Sequence, residues 1–429
     1  MMSSQKQQDE HLDAVIAGTI SASDNLAAFL ASLESTEDDV KAWCLRSDMG
    51  GYAQAEACDA APVRGLLHGV CVGVKDIIDT ADMLTERGSR SCAGRQPSSD
   101  AGLVSKLRAA GAILPGKTAT TEFAYLDKTV TRNPHNLAHS PGGSSSGSAA
   151  AIAAGQIPLA IGTQTGGSVI RPASYCGVFG MKPSFGSISR AGVLQTAQTL
   201  DQVGVFASTL TGIGRLCDVI MTGADGMMRA TQSAFHHPRC LVFDGLYDGV
   251  VETSVQDAVK AVTSSLGAAV THLPAPEMIA SYLAGHKAVY EVELAQNLGA
   301  ICDAKSALVG LAAKATVAIG RTHHSDVYDA AQAMRICAIA DLSSYFSSYD
   351  MLITPAATSE APLFEEGTGN PTCNALWSFV GFPCITLPLT TGPTGLPIGV
   401  QLIGAMGADK KLLQLAKWLL DTYDASRSA

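Results

Sequence analysis

The chain is short of charge. Only 16% of its 429 residues are Asp, Glu, Lys or Arg, against 47% that are hydrophobic, where about 25% charged is usual. That excludes a disordered or coiled-coil protein and implies a large core with a modest surface. Basic stripes are also missing. The 29 Lys and Arg are scattered and outnumbered by 39 Asp and Glu, for a net charge of −10, which disfavours nucleic-acid binding. No long apolar run escapes interruption by charge, Gly or Pro, so no membrane-spanning helix is expected. The polar start, Met1 to Glu10, lacks the apolar region of a signal peptide and reads as a frayed tail.

None of the eleven cysteines forms a C-x-x-C pair. They read as reduced, mostly buried thiols of a cytoplasmic protein, and none has a nominated base that would make it catalytic. His236-His237 and His323-His324 are adjacent pairs without companion ligands. Adjacent histidines seldom reach one ion, so neither a metal nor a cofactor is expected. Internal repeats, charge runs and Pro-rich linkers are absent too. The whole chain, 1–429, therefore reads as one large domain, with a surface connection near 223–240 and a helical lobe near 275–345.

What is present alternates strand with helix. Buried strands are expected within 67–80 and 112–117, and at 157–161, 178–181, 240–244, 269–273, 351–354, 384–388 and 397–403. Helices are expected at 11–33, 100–110, 146–154, 212–222, 254–266, 279–299, 326–348 and 409–421. That order predicts an α/β layered fold with a mixed, mostly central sheet covered by helices.

Two Gly/Ser clusters interrupt this pattern. One is Gly142-Gly143-Ser144-Ser145-Ser146-Gly147-Ser148; the other is Gly162-Thr163-Gln164-Thr165-Gly166-Gly167-Ser168. Each adjoins small apolar residues that pack only inside a protein, unlike a solvated linker. Gly166-Gly167 before Ser168 leaves backbone donors unobstructed beside a hydroxyl, as an oxyanion hole requires. A serine nucleophile needs a base. No Gly-x-Ser-x-Gly elbow surrounds Ser168, and His135 and His139 read as loop or packing residues. Lys75 ends the apolar run Val70 to Val74, where burial can lower its pKa. Pairing with Asp76 or Asp79 at a strand end is an equal reading of the same residue.

Taken together, Gly73-Val74-Lys75-Asp76, both Gly/Ser clusters and Tyr175-Cys176-Gly177-Val178-Phe179-Gly180-Met181-Lys182-Pro183 resemble the amidase signature family. The likeness is strong over about 65–210 and resumes at Gly381-Phe382-Pro383 and at 395–401. It implies a Ser–cis-Ser–Lys amide hydrolase working through an acyl-enzyme. Carried over, Ser168 is the nucleophile, Ser144 the bridging serine after a cis peptide, and Lys75 the base. Thr165, Gly166, Gly167 and Ser168 supply the oxyanion hole. Ser145 joins the cluster, while Tyr125, Trp377 and Thr165 are candidates to touch substrate.

One departure is informative. Most family members resemble Thr-Asp-Thr-Gly-Gly-Ser-Ile-Arg; here Gln164 replaces the acid, and arginine comes three residues after the serine, at Arg171. This variant is similar to the malonamidase branch, in which the matching arginine binds a substrate carboxylate. The resemblance implies a preference for small acid amides such as malonamate, and a homodimer. A structural role for Arg171 stands beside that reading. So do an amidase of neutral, aryl or carbamoyl amides and a glutaminase-type amidotransferase subunit.

Overall fold

A computed structural model describes residues 2–62, 65–233 and 235–428. Its strands are β1 (Trp43–Arg46), β2 (Val72–Lys75), β3 (Gly116–Thr118), β4 (Leu159–Gln164), β5 (Phe179–Lys182), β6 (Gln202–Ala207), β7 (Cys240–Asp244), β8 (Val270–Pro274), β9 (Met351–Pro355), β10 (Cys384–Thr391) and β11 (Pro397–Ile403). They form one mixed sheet in the order β1-β3-β2-β4-β6-β5-β10-β11-β9-β7-β8.

Helices cover the sheet. In the first half they are α1 (Met2–Ile16), α2 (Ala22–Val40), α3 (Asp48–Ala60), α4 (Gly102–Ala109), α5 (Ser146–Ala153), α6 (Ile170–Tyr175) and α7 (Leu210–Ile220). In the second half they are α8 (Met227–Ala230), α9 (Thr253–Ser265), α10 (Ile279–Ala304), α11 (Leu311–Thr322), α12 (Ser325–Ser344), α13 (Thr372–Val380) and α14 (Asp409–Ser428). None of the described helices is long and apolar enough to cross a membrane. The layered α/β architecture is the expected one. Strands β1 and β6 and helices α3, α6, α8, α11 and α13 are additions. From Met2 on, the polar start belongs to α1 and is not a frayed tail: Asp9 accepts from Thr209 Oγ1 at 2.6 Å and Asp13 pairs with Arg215. Within 275–345, α11 and α12 each pack against α10.

Two features of the sheet position the site. Strand β2 runs parallel to both β3 and β4, so three adjacent strands end at one edge. The crevice beyond such carboxyl ends is where open α/β sheets bind ligands. Helix α5 then lies against β2, β3 and β4 with small residues at every position but Ile152, in the run Ser-Gly-Ser-Ala-Ala-Ala-Ile-Ala. Its residues 146–152 are all buried. A methyl group on Gly147 would lie 2.1 Å from the Ala42 carbonyl oxygen and 2.3 Å from the Ala119 nitrogen. The Gly/Ser composition is thus a close-packing requirement, because only a helix without bulk can approach the strands this closely.

Gly147→Ala should destabilise the protein by about 3 kcal/mol, since backbone rather than a flexible side chain must move. Thermal unfolding checks this; a melting temperature within a degree of wild type would contradict it.

Candidate active site

Lys75 is the last residue of β2 and is fully buried. Its Nζ lies 2.8 Å from Ser144 Oγ and 2.9 Å from Thr163 Oγ1. Burial pushes its pKa well below the ordinary lysine value, and the Asp201 charge opposes that shift. Asp201 itself accepts from Thr165 Oγ1 (2.6 Å), Thr196 Oγ1 (2.8 Å), Thr196 N (2.8 Å) and Ala197 N (3.0 Å). Burial raises the Asp201 carboxyl, and these four donors work against the rise. The peptide bond between Gly143 and Ser144 is cis.

Ser168 sits in the turn between β4 and α6 and is partly exposed. With Ser144, Gly166, Gly167 and Arg171 it lines a cavity of about 310 Å³. Among the described residues, the backbone N–H groups of Gly166, Gly167 and Ser168 donate to no protein atom, and no hydrogen bond joins Ser144 to Ser168. The cavity is completed by Tyr125 and Leu126, by Leu283, His286, Lys287, Tyr290 and Glu291 on α10, and by Pro371, Thr372 and Ala375 at α13. A larger cleft of about 710 Å³ lies between α9 and the ends of β7, β8 and β9, and none of these serines lines it.

The turn is held by side chains. Gln164 Oε1 accepts from Val169 N (2.9 Å) and Ile170 N (3.0 Å), satisfying donors at the start of α6. Gly167 is required by close approach: an added methyl group would meet Asn374 Oδ1 at 2.5 Å.

Arg171, in the first turn of α6, is 2% exposed. Its Nη2 donates to the Gly143 carbonyl at 2.8 Å, and its buried Nε and Nη1 have no partner. Burial lowers its pKa; the neighbours whose charge opposes this are Tyr175, Tyr290 and Cys373. This is a buried guanidinium without a carboxylate partner among the described residues, a state that is costly unless an anion arrives.

Tyr125 also lines the cavity, with its hydroxyl 2.6 Å from Thr316 Oγ1 and its ring edge-on to Tyr290 at 5.6 Å. Three expected substrate contacts are placed elsewhere. The Ser145 hydroxyl faces β4, 3.2 Å from the Thr163 carbonyl and 3.3 Å from the Thr163 nitrogen, because its residue starts the tightly packed α5. The Thr165 hydroxyl is committed to Asp201, so it stabilises the turn from behind. Trp377 is fully buried in a core cluster with Phe379 and Phe382, because the opposite face of α13 meets the cavity.

Sequence reasoning missed Thr163, Asp201, His286, Asn374 and Ser378. Asp201 had one visible signal, a lone acid just before the apolar stretch 203–207. Thr163 lies inside the second Gly/Ser cluster, where the glycines and Ser168 drew the reading instead; His286, Asn374 and Ser378 come from segments distant in sequence and carry no local pattern.

Comparison with known proteins finds likeness along nearly the whole chain. Residues 24–413 match the sequence profile of the family described as Amidase. One component of the glutamyl-tRNA(Gln) amidotransferase of Symbiobacterium thermophilum is 33% identical, over 94% of this chain and 93% of that protein. A solved chain from a vestigial protein complex tied to the evolutionary origins of an s-triazine catabolic enzyme superposes with a TM-score of 0.91. It is 28% identical, over 96% of this chain and 98% of that one. The crystal structure of an amidase gives a TM-score of 0.88 at 25% identity, covering 96% and 98%.

The burial of Lys75 has a consequence for stability. Between its depressed folded pKa and about 10.4 in the unfolded chain, the unfolded state binds one more proton than the folded state. Stability therefore rises with pH in that window, by up to about 1.4 kcal/mol per unit. Lys75→Met lacks this slope. Its melting temperature, compared with wild type from pH 7 to 10, should be relatively highest at pH 7, with the advantage shrinking as pH rises. A constant difference would mean that Lys75 is protonated in the fold.

Proposed function

The chain belongs to the amidase signature family, and we propose that it hydrolyses small amides bearing a carboxylate, using Lys75, Ser144 and Ser168. One observation carries the chemical part: the 2.8 Å contact between the buried Lys75 Nζ and Ser144 Oγ, beside a cavity lined by Ser168. Neutral Lys75 takes the Ser144 proton while Ser144 takes the proton of Ser168. Ser168 Oγ then bonds to the amide carbon, and the carbonyl oxygen gains negative charge. The unpartnered N–H groups of Gly166, Gly167 and Ser168 receive that charge. The proton returns through Ser144 to the leaving nitrogen, the C–N bond breaks, and an ester to Ser168 remains. Water repeats the sequence and releases the acid. The absence of a resting contact between Ser144 and Ser168 is compatible with this relay, since such bonds often tighten only around substrate.

The substrate part rests on Arg171. Arg171 lines the cavity, and its buried Nη1 and Nε have no partner among the described residues. A carboxylate accepts two parallel bonds from a guanidinium, which supplies both the missing charge and the missing acceptors. Likeness to the amidotransferase component favours a second reading, in which the same chemistry releases ammonia from glutamine for a partner protein.

Ammonia release from malonamate, malonamide, glutamine, a fatty amide and an anilide separates these readings. Malonamate should be preferred, and Ser168→Ala should lower its turnover by about 10⁴-fold or more. Preference for glutamine would select the amidotransferase reading; preference for neutral amides would remove the carboxylate clamp.

Arg171→Ala should reduce kcat/KM for malonamate by about 10- to 100-fold, chiefly through KM, and should affect neutral malonamide much less. Equal losses on the two substrates would make Arg171 a support for the Gly143 carbonyl only.

A further inference from the structure

The turn that ends in Ser168 is gripped at two successive carbonyl groups by side chains from outside it. His286 on α10 lies with Nε2 3.1 Å from the Thr165 carbonyl oxygen. Ser378 on α13 donates from Oγ to the Gly166 carbonyl oxygen at 2.7 Å. Both are buried.

The donor directions follow from chemistry. A carbonyl oxygen only accepts, so His286 must carry its proton on Nε2. Burial lowers its pKa to about 4, so the ring is neutral near pH 7. Ser378 Oγ receives a bond from Gln164 Nε2 at 3.0 Å. Gln164 is itself oriented, because its Oε1 accepts from Val169 N and Ile170 N. The serine proton is therefore left to point at Gly166, in a chain running from the Gln164 amide through the Ser378 hydroxyl to the Gly166 carbonyl.

A trans peptide is planar, with its oxygen and its N–H on opposite sides. Fixing the Thr165 oxygen towards α10 fixes the Gly166 N–H in the opposite sense. Fixing the Gly166 oxygen towards α13 does the same for the Gly167 N–H. These are two of the N–H groups at the cavity that have no protein acceptor among the described residues. Glycines would otherwise let both peptide planes rotate, since they restrict the backbone least.

We propose that His286 and Ser378 are positioning residues that aim the Gly166 and Gly167 N–H groups at the oxygen that gains charge during acyl transfer. This rests on the proposed Ser168 chemistry. Gln164 participates through its amide, which an acid at that position lacks.

The test uses the full chain and the rate at which a fluorophosphonate labels Ser168, a reaction that also loads the oxyanion site and needs no knowledge of the substrate. His286→Phe keeps an aromatic ring against Tyr290 and Phe379, which it meets at 6.0 and 6.2 Å, but removes the donor. It and Ser378→Ala should each slow labelling by about 10- to 100-fold. For whichever panel amide is turned over, kcat should fall with KM nearly unchanged. His286→Gln restores a donor and should recover most of the rate. Melting temperatures are taken alongside. If His286→Phe melts early, Gln164→Glu carries the test, since it keeps the acceptor for Val169 and Ile170 and loses the amide donor to Ser378.

Wild-type labelling and kcat in the folded variants would overturn the inference, as would a change in KM alone. The failure of the underlying reading looks different: wild type itself would go unlabelled, or Ser168→Ala would stay active.

Discussion

An amine buried without a carboxylate in direct contact, but with two hydroxyl groups against it, is the constraint on which the rest of this structure depends. Lys75 is one of three fully buried lysines, with Lys117 and Lys182. Lys182 is surrounded by acceptors: the Gln202 side-chain oxygen and the carbonyls of Pro183 and Phe382. Lys117 donates to the Ile78 carbonyl and to Thr80 and Thr85, with Asp76 4.0 Å away. A carbonyl oxygen has no proton to exchange, so Lys182 can only be held. A hydroxyl can accept a proton and release another. Lys117 does touch hydroxyls, but neither threonine lines the cavity. Of the three, Lys75 is the one that touches a hydroxyl, Ser144, lining the cavity that Ser168 also lines.

Desolvation keeps that amine available, and the fold must then satisfy everything around it. The strand ends supply part of the answer. Lys75 and Thr163 lie near the carboxyl ends of adjacent parallel strands, which brings an amine and a hydroxyl together without any loop having to be ordered for the purpose. The helix beside them contributes almost no side-chain volume, so Ser144 and Ser145 can approach β4 closely. Asp201 sets a negative charge near the amine while its own oxygens are occupied by Thr165, Thr196 and Ala197. One carboxylate thereby influences the buried amine electrostatically and holds the turn mechanically.

Much of this was legible in the sequence, and the limits have physical causes. The strand at Lys75 and the helix at 146–154 announce themselves through local composition. So do the glycines before Ser168. Strand β6 was missed because Gln202 to Ala207 is short and continuously buried, which gives no alternation to read. Helix α6 was missed because its six residues contain a proline and no amphipathic period. The substrate wall was read least well. Trp377 looked like a pocket aromatic because its identity is visible while its face of α13 is not. The residues that do line the wall from α10 are Leu283, His286, Lys287, Tyr290 and Glu291, a helical stripe whose outlook depends on packing against segments remote from it in the chain.

The same distinction bears on Arg171. Locally, an arginine in the first turn of a six-residue helix is unfavourable, since a helix N-terminus prefers negative charge. Burial makes its position worse, and one bond to the Gly143 carbonyl leaves two nitrogen atoms unsatisfied. A purely structural arginine of this kind is an expensive way to hold one carbonyl, because a neutral donor would do so without the desolvation of a full charge. A ligand anion changes that balance, because it supplies charge and acceptors together where the protein supplies neither to Nε and Nη1. The carboxylate reading thus follows from what the guanidinium lacks, whereas the acyl-transfer reading follows from what Lys75 and Ser144 already share.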